Sequence, residues 1–298
     1  MKKIVLSIIA LCMGMCAMAQ TKFYVYNTDG IMVEYTIEDV DSISFVGSDV
    51  ATTTEPLPGV FTVAEGKTVK FAPGNLQYKK STKKWSFAAN QYDMIGTYVA
   101  DKIDLFEWST NNETAKWGVS STCDGDYSGG FVDWGLKIGD GNTWRTLTLE
   151  EWIYLFESRA DAVDKYGIAY INLDARTSVL GLIILPDSWT APAGISFAGG
   201  LPSEEVIDNE DYQNFTLAQW QLMEQAGAVL LRARGDGCGD WYGSYWTATP
   251  CSSDRAYRLF FPQQFGYKYV SYGYNSSGSP YATGRCGSSS VRLVQDVK

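Results

Sequence analysis

The chain of 298 residues contains no histidine. That absence excludes a Ser-His-Asp triad, a Cys-His pair and any His-ligated metal centre. It also removes the commonest general base, although enzymes without histidine exist. Positive charge is short as well. Lys and Arg number 24 against 34 Asp and Glu, for a formal net charge of -10. Such a balance disfavours nucleic acid or an anionic membrane as the main partner. Charged residues are only 19% of the chain and hydrophobic residues 45%, the balance of a globular protein and not of a disordered one.

What is abundant is aromatic: 10 Trp and 19 Tyr, with aromatics at 14% overall. Two uses are expected for them, packing in a β-rich core and recognition at the surface. The start of the chain reads as a secretory leader over residues 1–19. Lys2-Lys3 are followed by an apolar stretch over residues 4–15 and by Ala17-Met18-Ala19, a small-x-small cleavage pattern. The apolar stretch is short for a full membrane span, so no span is expected in the mature chain. Lipidation at Cys16 is the alternative, disfavoured by the bulky Met15 before it. Either route takes the protein out of the cytoplasm, to the cell surface or the medium.

Residues 20–46 read as a small β module. Phe23 and Val25 alternate with Tyr24 and Tyr26, Asp29-Gly30 is a strong hairpin signal, and Ile31, Val33 and Tyr35 begin the return strand. Ile43 and Phe45 suggest a third strand. Residues 47–58, with Thr52-Thr53-Thr54 and two prolines, read as a linker. The main domain is expected over residues 59–298. Residues 60–63 and 68–71 are strand-like around a Glu65-Gly66 turn, and Lys84-Trp85-Ser86-Phe87 is another candidate strand. Residues 101–142, rich in Gly, Asp, Asn, Ser and Trp, read as a packed excursion held by its tryptophans. Asp124 and Asp126 near Gly129-Gly130 are spaced acids without a full calcium-loop pattern, so no metal is assigned. Thr148 with Glu151 and Thr216 with Gln219 each fit a helix capping box. Trp152, Leu155 and Phe156 follow the first, and Trp220 and Met223 the second, as core-facing residues. Residues 181–186 read as a buried strand between the helices.

The segment after residue 240 changes character. Acidic residues nearly vanish, and Tyr, Ser, Gly, Phe, Arg and Cys take over. Tyr gives large, stiff contact area at low entropic cost, and Ser and Gly give adaptable hydrogen bonding, which is the composition of a binding surface. Over residues 256–261, Tyr257, Leu259 and Phe261 alternate with Arg258 and Phe260. If the first set is core, the second faces solvent or a ligand. In the last strand Val291 and Leu293 are expected inward and Arg292 outward. Loss of the leader leaves Cys123, Cys238, Cys251 and Cys286, and four cysteines allow three pairings. One option joins Cys251 to Cys286; others leave them as surface residues or as nucleophiles.

The ordered set "GNLQY", "WSFAANQYDMIG", "TWRTLTLEEWIYLF", "GLIILPDSW", "AQWQLMEQAGAVLL", "SYWTAT", "AYRLFF" and "SVRLV" resembles a family of exported bacterial proteins. That family is similar to C-type lectin-like domains and to the formylglycine-generating-enzyme fold. The resemblance covers most of residues 59–298. It implies an α+β, C-type lectin-like fold: two helices with an irregular antiparallel sheet, here preceded by the small hairpin module. The tail further resembles the variable region of a protein diversified by a retroelement that mutates adenines. Randomised Asn codons cannot yield Glu, Lys, Gln, Met or Trp. Between Thr247 and Ser290, Glu, Met and Trp are absent and only Gln263, Gln264 and Lys268 depart from the rule. Tyr245, Trp246, Ala256, Tyr257, Leu259, Arg285 and Val291-Arg292-Leu293-Val294 match the family's fixed frame. Ser288 and Ser289 depart from it, standing where Gly and an aromatic are usual.

The resemblance implies a ligand-binding surface built from Tyr242, Ser244, Cys251, Ser253, Asp254, Arg255, Arg258, Phe260, Tyr267, Tyr269, Ser271, Tyr274, Tyr281, Thr283, Cys286 and Gly287. The expected partner is a macromolecule, a protein or glycan on another cell or phage, with no cofactor, no metal and no catalytic residue. Two alternatives stay open. One is an oxidoreductase of the formylglycine-generating type using Cys251 and Cys286, although "SVRLV" replaces that family's Cys-containing ending. The other is an adhesin subunit docking through its N-terminal hairpin. Calcium-dependent sugar binding is not implied, because the Glu-Pro-Asn and Trp-Asn-Asp motifs are missing.

Overall fold

Glu65-Gly66 reverses the chain between two alternating apolar runs, and Gly66 does so at a φ of 67° that a side chain disfavours. The hairpin it closes belongs to a computed structural model that describes residues 22–26, 32–36, 54–120, 122–139, 143–200, 212–235, 241–262 and 282–298. The chain divides into two units, Met1–Val50 and Ala51–Lys298. In the first, β1 (Lys22–Tyr26) pairs antiparallel with β2 (Met32–Thr36), Tyr26 opposite Met32. The Asp29-Gly30 turn and the expected strand at Ile43 and Phe45 lie outside the described residues, as does the leader.

The second unit is of the α+β class. Its strands in chain order are β3 (Phe61–Ala64), β4 (Lys67–Phe71), β5 (Leu76–Lys79), β6 (Lys84–Phe87), β7 (Lys102–Ile103), β8 (Arg145–Thr146), β9 (Tyr166–Asn172), β10 (Ser178–Ile184), β11 (Gln213–Thr216), β12 (Val229–Arg232), β13 (Arg234–Gly235), β14 (Trp241–Pro250), β15 (Arg255–Pro262), β16 (Ala282–Gly284) and β17 (Leu293–Asp296). Helix α1 (Leu149–Ile153) follows β8 and runs on into one wider π turn, Tyr154–Ser158; α2 (Leu217–Gln225) follows β11. The strands form sheets ordered β3-β4-β17-β8, β6-β5-β7, β11-β9-β10-β12 and β13-β14-β15-β16. All pairings are antiparallel except β11 with β9. Leu57, at the end of the stretch read as a linker, already belongs to the core, and its N–H bonds the Phe71 carbonyl at 2.8 Å.

Both helices begin at the predicted capping boxes. Thr148 Oγ1 accepts from the Glu151 N–H at 3.2 Å while Glu151 Oε2 accepts from the Thr148 N–H at 2.9 Å. Thr216 and Gln219 repeat the exchange at 3.2 and 2.9 Å. Glu151 does more, because it also accepts from Lys67 Nζ and Arg145 Nη1, each at 2.7 Å, and Arg145 reaches on to Asp296. This chain of charges ties α1 to β4, β8 and β17.

Strand β10 is buried on both faces. Leu180, Leu182 and Ile184 join Trp152, Leu155 and Phe156 of the α1 region, and Val179 and Ile183 join Trp220 and Met223 of α2. A strand covered on both sides has no polar face to alternate with, hence the unbroken run Gly181-Leu182-Ile183-Ile184-Leu185. A third cluster gathers Phe106, Trp108, Trp134, Trp144 and Trp246. Three of the indole N–H groups there find a carbonyl: Trp108 that of Thr247 at 2.9 Å, Trp134 that of Trp117 at 2.8 Å, and Trp246 that of Phe106 at 2.7 Å. The tryptophans thus fix the 101–142 excursion against β14.

Arg292 corrects an expectation. It is 1% exposed, not outward-facing. Its guanidinium donates to Leu230 O at 2.7 Å, to Ala72 O and Asn75 Oδ1 at 3.0 Å, and to Gln91 Oε1 at 3.4 Å. Burial lowers its pKa to about 10, which leaves it protonated at neutral pH. Strict alternation fails here because residues 291 and 292 precede β17 and run between segments that cover both sides. Among the described residues no helix is long and apolar enough to cross a membrane.

Candidate functional site

The candidate surface is carried by β14, β15 and β16. Registry sets its two faces. Tyr245 opposes Leu259 and Gly243 opposes Phe261 on one face; Ser244 opposes Phe260 and Trp246 opposes Arg258 on the other. The first face enters the core, where Tyr245, Leu259 and Phe261 are buried. Gly243 is required there, since a Cβ would stand 1.8 Å from the Phe261 ring. Tyr245 carries its hydroxyl inward with it, donating to the Arg232 carbonyl at 2.9 Å, and burial pushes that phenol up to about 12.

The second face is covered at one end and open at the other. Toward Trp246 and Ala256 it is sealed by the tryptophan cluster. Residues 289–290 run along β14 beside it, with the Trp246 N–H bonded to Ser290 O at 3.0 Å. This is why Ser244, expected on the surface, is only 5% exposed: its hydroxyl meets Ser289 Oγ at 2.7 Å. Toward Tyr242 the face opens into a ladder of half-exposed side chains. Arg234 lies 4.8 Å over the Tyr242 ring and donates to its hydroxyl through Nε at 2.7 Å. Tyr242 packs on Phe260 at 5.6 Å, Arg258 lies 4.9 Å over Phe260, and Arg258 donates to Ser244 Oγ at 3.1 Å. Two guanidiniums thus hold two rings by cation–π contact.

A second group gathers about the other end of β15, about 17 Å away by strand rise. Cys251, Ser253 and Asp254 on the turn between β14 and β15, and Arg255 at the start of β15, are exposed, and Thr283, Cys286 and Gly287 are half-exposed on and just after β16. The turn closes on itself through Cys251 N to Arg255 O at 2.9 Å and Ser252 Oγ to Asp254 Oδ1 at 2.7 Å, the latter holding the Asp254 carboxyl below its usual range. Arg285 organises this end. It is 3% exposed, lies 4.2 Å over the Trp108 ring, and donates to Tyr127 O at 2.6 Å, Gly129 O at 2.9 Å, Arg255 O at 3.2 Å and the Ser252 carbonyl. Desolvation lowers its pKa.

The predicted site residues therefore fall into two groups, one of Tyr242, Arg258 and Phe260 and one of the remaining described members, with Ser244 beneath the first. Tyr267, Tyr269, Ser271, Tyr274 and Tyr281 lie outside the described residues. Arg234 belongs with the first group and was missed by sequence reasoning. The signal was Arg232-Ala233-Arg234, where a buried Ala between two arginines continues strand alternation one step past the apolar run. Cys286 lies against Cys123, not only near the Cys251 turn: the Cys123 thiol donates to the Cys286 carbonyl at 3.4 Å. Among the described residues no three Cys, Asp or Glu side chains converge in a metal-binding arrangement. Comparison of the chain with protein-family models, with curated proteins and with solved structures finds no match.

Proposed function

We propose that this is an exported ligand-binding protein, in which a C-type lectin-like scaffold carries a variable surface at the carboxyl end. The observation that carries the reading is how burial divides the tail. Of the frame residues, Tyr245, Trp246, Ala256, Leu259, Arg285 and residues 291–294 are all buried, and Tyr257 is half-buried. Of the described residues assigned to ligand binding, every one but Ser244 is exposed or half-exposed. A diversified protein needs this partition, because substitutions that reach the core would unfold it, whereas changes on the open surface alter only what is bound. The scaffold reading has its own support. Strand β17 at the chain's end pairs with β4 near the unit's start, two short helices flank the β9–β10 hairpin, and long irregular segments pack against the sheets.

The open ladder is suited to recognition. Arg and Tyr are the residues that most often anchor interfaces, and here each is preorganised by its neighbour, which lowers the ordering cost of binding. Its packed rings, Tyr242 and Phe260, favour a partner that offers aromatic groups. The test is the triple variant Tyr242→Ala, Arg258→Ala, Phe260→Ala, compared with wild type for binding to intact bacterial cells, phage particles and a glycan array. Binding falls at least tenfold while the melting temperature stays within a few degrees. Unfolding of each single variant would instead make these residues structural. Diversification is read from the adjoining DNA: a near-copy of the 3′ coding segment differing at adenines, beside a reverse transcriptase gene.

A further inference from the structure

We propose that Cys123 and Cys286 form a covalent cross-linking site, closed by exchange with a disulfide-bearing oxidant such as oxidised glutathione. The two residues are 163 positions apart in sequence, yet the Cys123 thiol reaches the Cys286 carbonyl at 3.4 Å. That approach is held in place by the segments that bear it. Arg285, the residue before Cys286, bonds the carbonyls of Tyr127 and Gly129 on the strand of chain that follows Cys123. The Trp108 N–H bonds Arg285 O at 2.8 Å, and Gly287 N bonds Gly284 O at 2.8 Å. The loop-closure entropy of bringing the two cysteines together is thus met by folding, and each thiol sees the other at high effective concentration. Access is not barred, since Cys123 is exposed and Cys286 half-exposed.

The exchange balances in two steps. One protein thiolate attacks the oxidant's S–S bond, forming a mixed disulfide and releasing one thiol. The second protein thiolate attacks the protein sulfur of that mixed disulfide, forming the Cys123–Cys286 bond and releasing the second thiol. The two protein thiols give up two protons and two electrons, and the oxidant's disulfide takes up both pairs as two thiols. The hydrogen bond to Cys286, burial, and the charges of Cys286, Glu107 and Asp124 raise the Cys123 thiol to about 11, so the exchange quickens as pH rises. The inference is independent of any partner at the Tyr242 ladder. Among the pairings that the sequence left open, it favours the one that joins the tail to the 101–142 excursion over the one that joins Cys251 to Cys286.

The test equilibrates the purified protein across ratios of reduced to oxidised glutathione, blocks free thiols with iodoacetamide and maps peptides without reduction. The expected result is one linked peptide pair holding Cys123 and Cys286. That pair persists in Cys251→Ser and is lost in Cys123→Ser, where Cys286 becomes alkylated, and its formation raises the melting temperature. Full alkylation of Cys123 and Cys286 at the most oxidising ratio would overturn the proposal, as would Cys286 linked to Cys251 or Cys238.

Discussion

Arg292 shows how much a single side chain can carry. Its charge is compensated by carbonyl and amide oxygens from residues 72, 75, 91 and 230, which places one guanidinium at the meeting of three other segments, 72–75, 91 and 230. Each buried acceptor left without a donor costs about 1–3 kcal/mol. Arg292→Met is therefore expected to lose roughly 3 kcal/mol or more in urea denaturation. Arg292→Lys recovers little, because an ammonium cannot reproduce the planar fork. Glu107 is the opposite case. It is 2% exposed, and its Oε2 and the nearby Tyr127 hydroxyl make no hydrogen bond of ordinary length. Desolvation pushes its pKa up from 4.5 to about 7. The folded state then holds a proton that the unfolded chain has lost, so the stability is full below about 4.5 and declines as pH rises to 7. At 1.36 kcal/mol per pKa unit, the loss is roughly 3 kcal/mol. Glu107→Gln has no such loss: its stability relative to wild type is expected to grow from near zero at pH 4.5 to that figure at pH 8, measured by urea melts across the range.

At the scale of elements, the helices were legible because a capping box is local. Four consecutive residues contain both partners, and the sequence positions Thr148–Glu151 and Thr216–Gln219 needed no tertiary contact to be read. Their weights differ for a tertiary reason. Thr216→Ala is expected to cost about 1 kcal/mol, the ordinary value of a cap. Thr148→Ala is expected to cost more, because it also loosens Glu151, whose carboxylate holds Lys67 and Arg145. Equal shifts in the two urea midpoints would show that the ionic network adds nothing. The faces of β15 were legible for the same local reason, since period-two alternation separates Leu259 and Phe261 from Arg258 and Phe260. Ser244 was not, because what covers it is Ser289, 45 residues on. The bulge in β14 between Trp246 and Pro250 likewise depends on its pairing with β15 and on nothing in its own composition.

On the scale of the whole molecule, the far end of the chain is structurally central. β17 lies between β4 and β8, with Leu293 and Val294 fully buried and Asp296 bound to Arg145. Removing residues 291–298 is expected to abolish cooperative unfolding altogether, checked by circular dichroism and urea titration, whereas removing only Val297 and Lys298 is expected to cost less than about 1 kcal/mol.

The amino-acid sequence by itself determined both helix starts, the buried strand β10 and the outward set on β15, because each follows from neighbours within a few residues. Only the tertiary structure decided that Arg292 is buried, that Ser244 lies under Ser289, that Arg234 joins Tyr242 and that Cys286 meets Cys123. Those outcomes depend on which distant segment arrives to cover a residue, and the period of a strand carries no information about its cover.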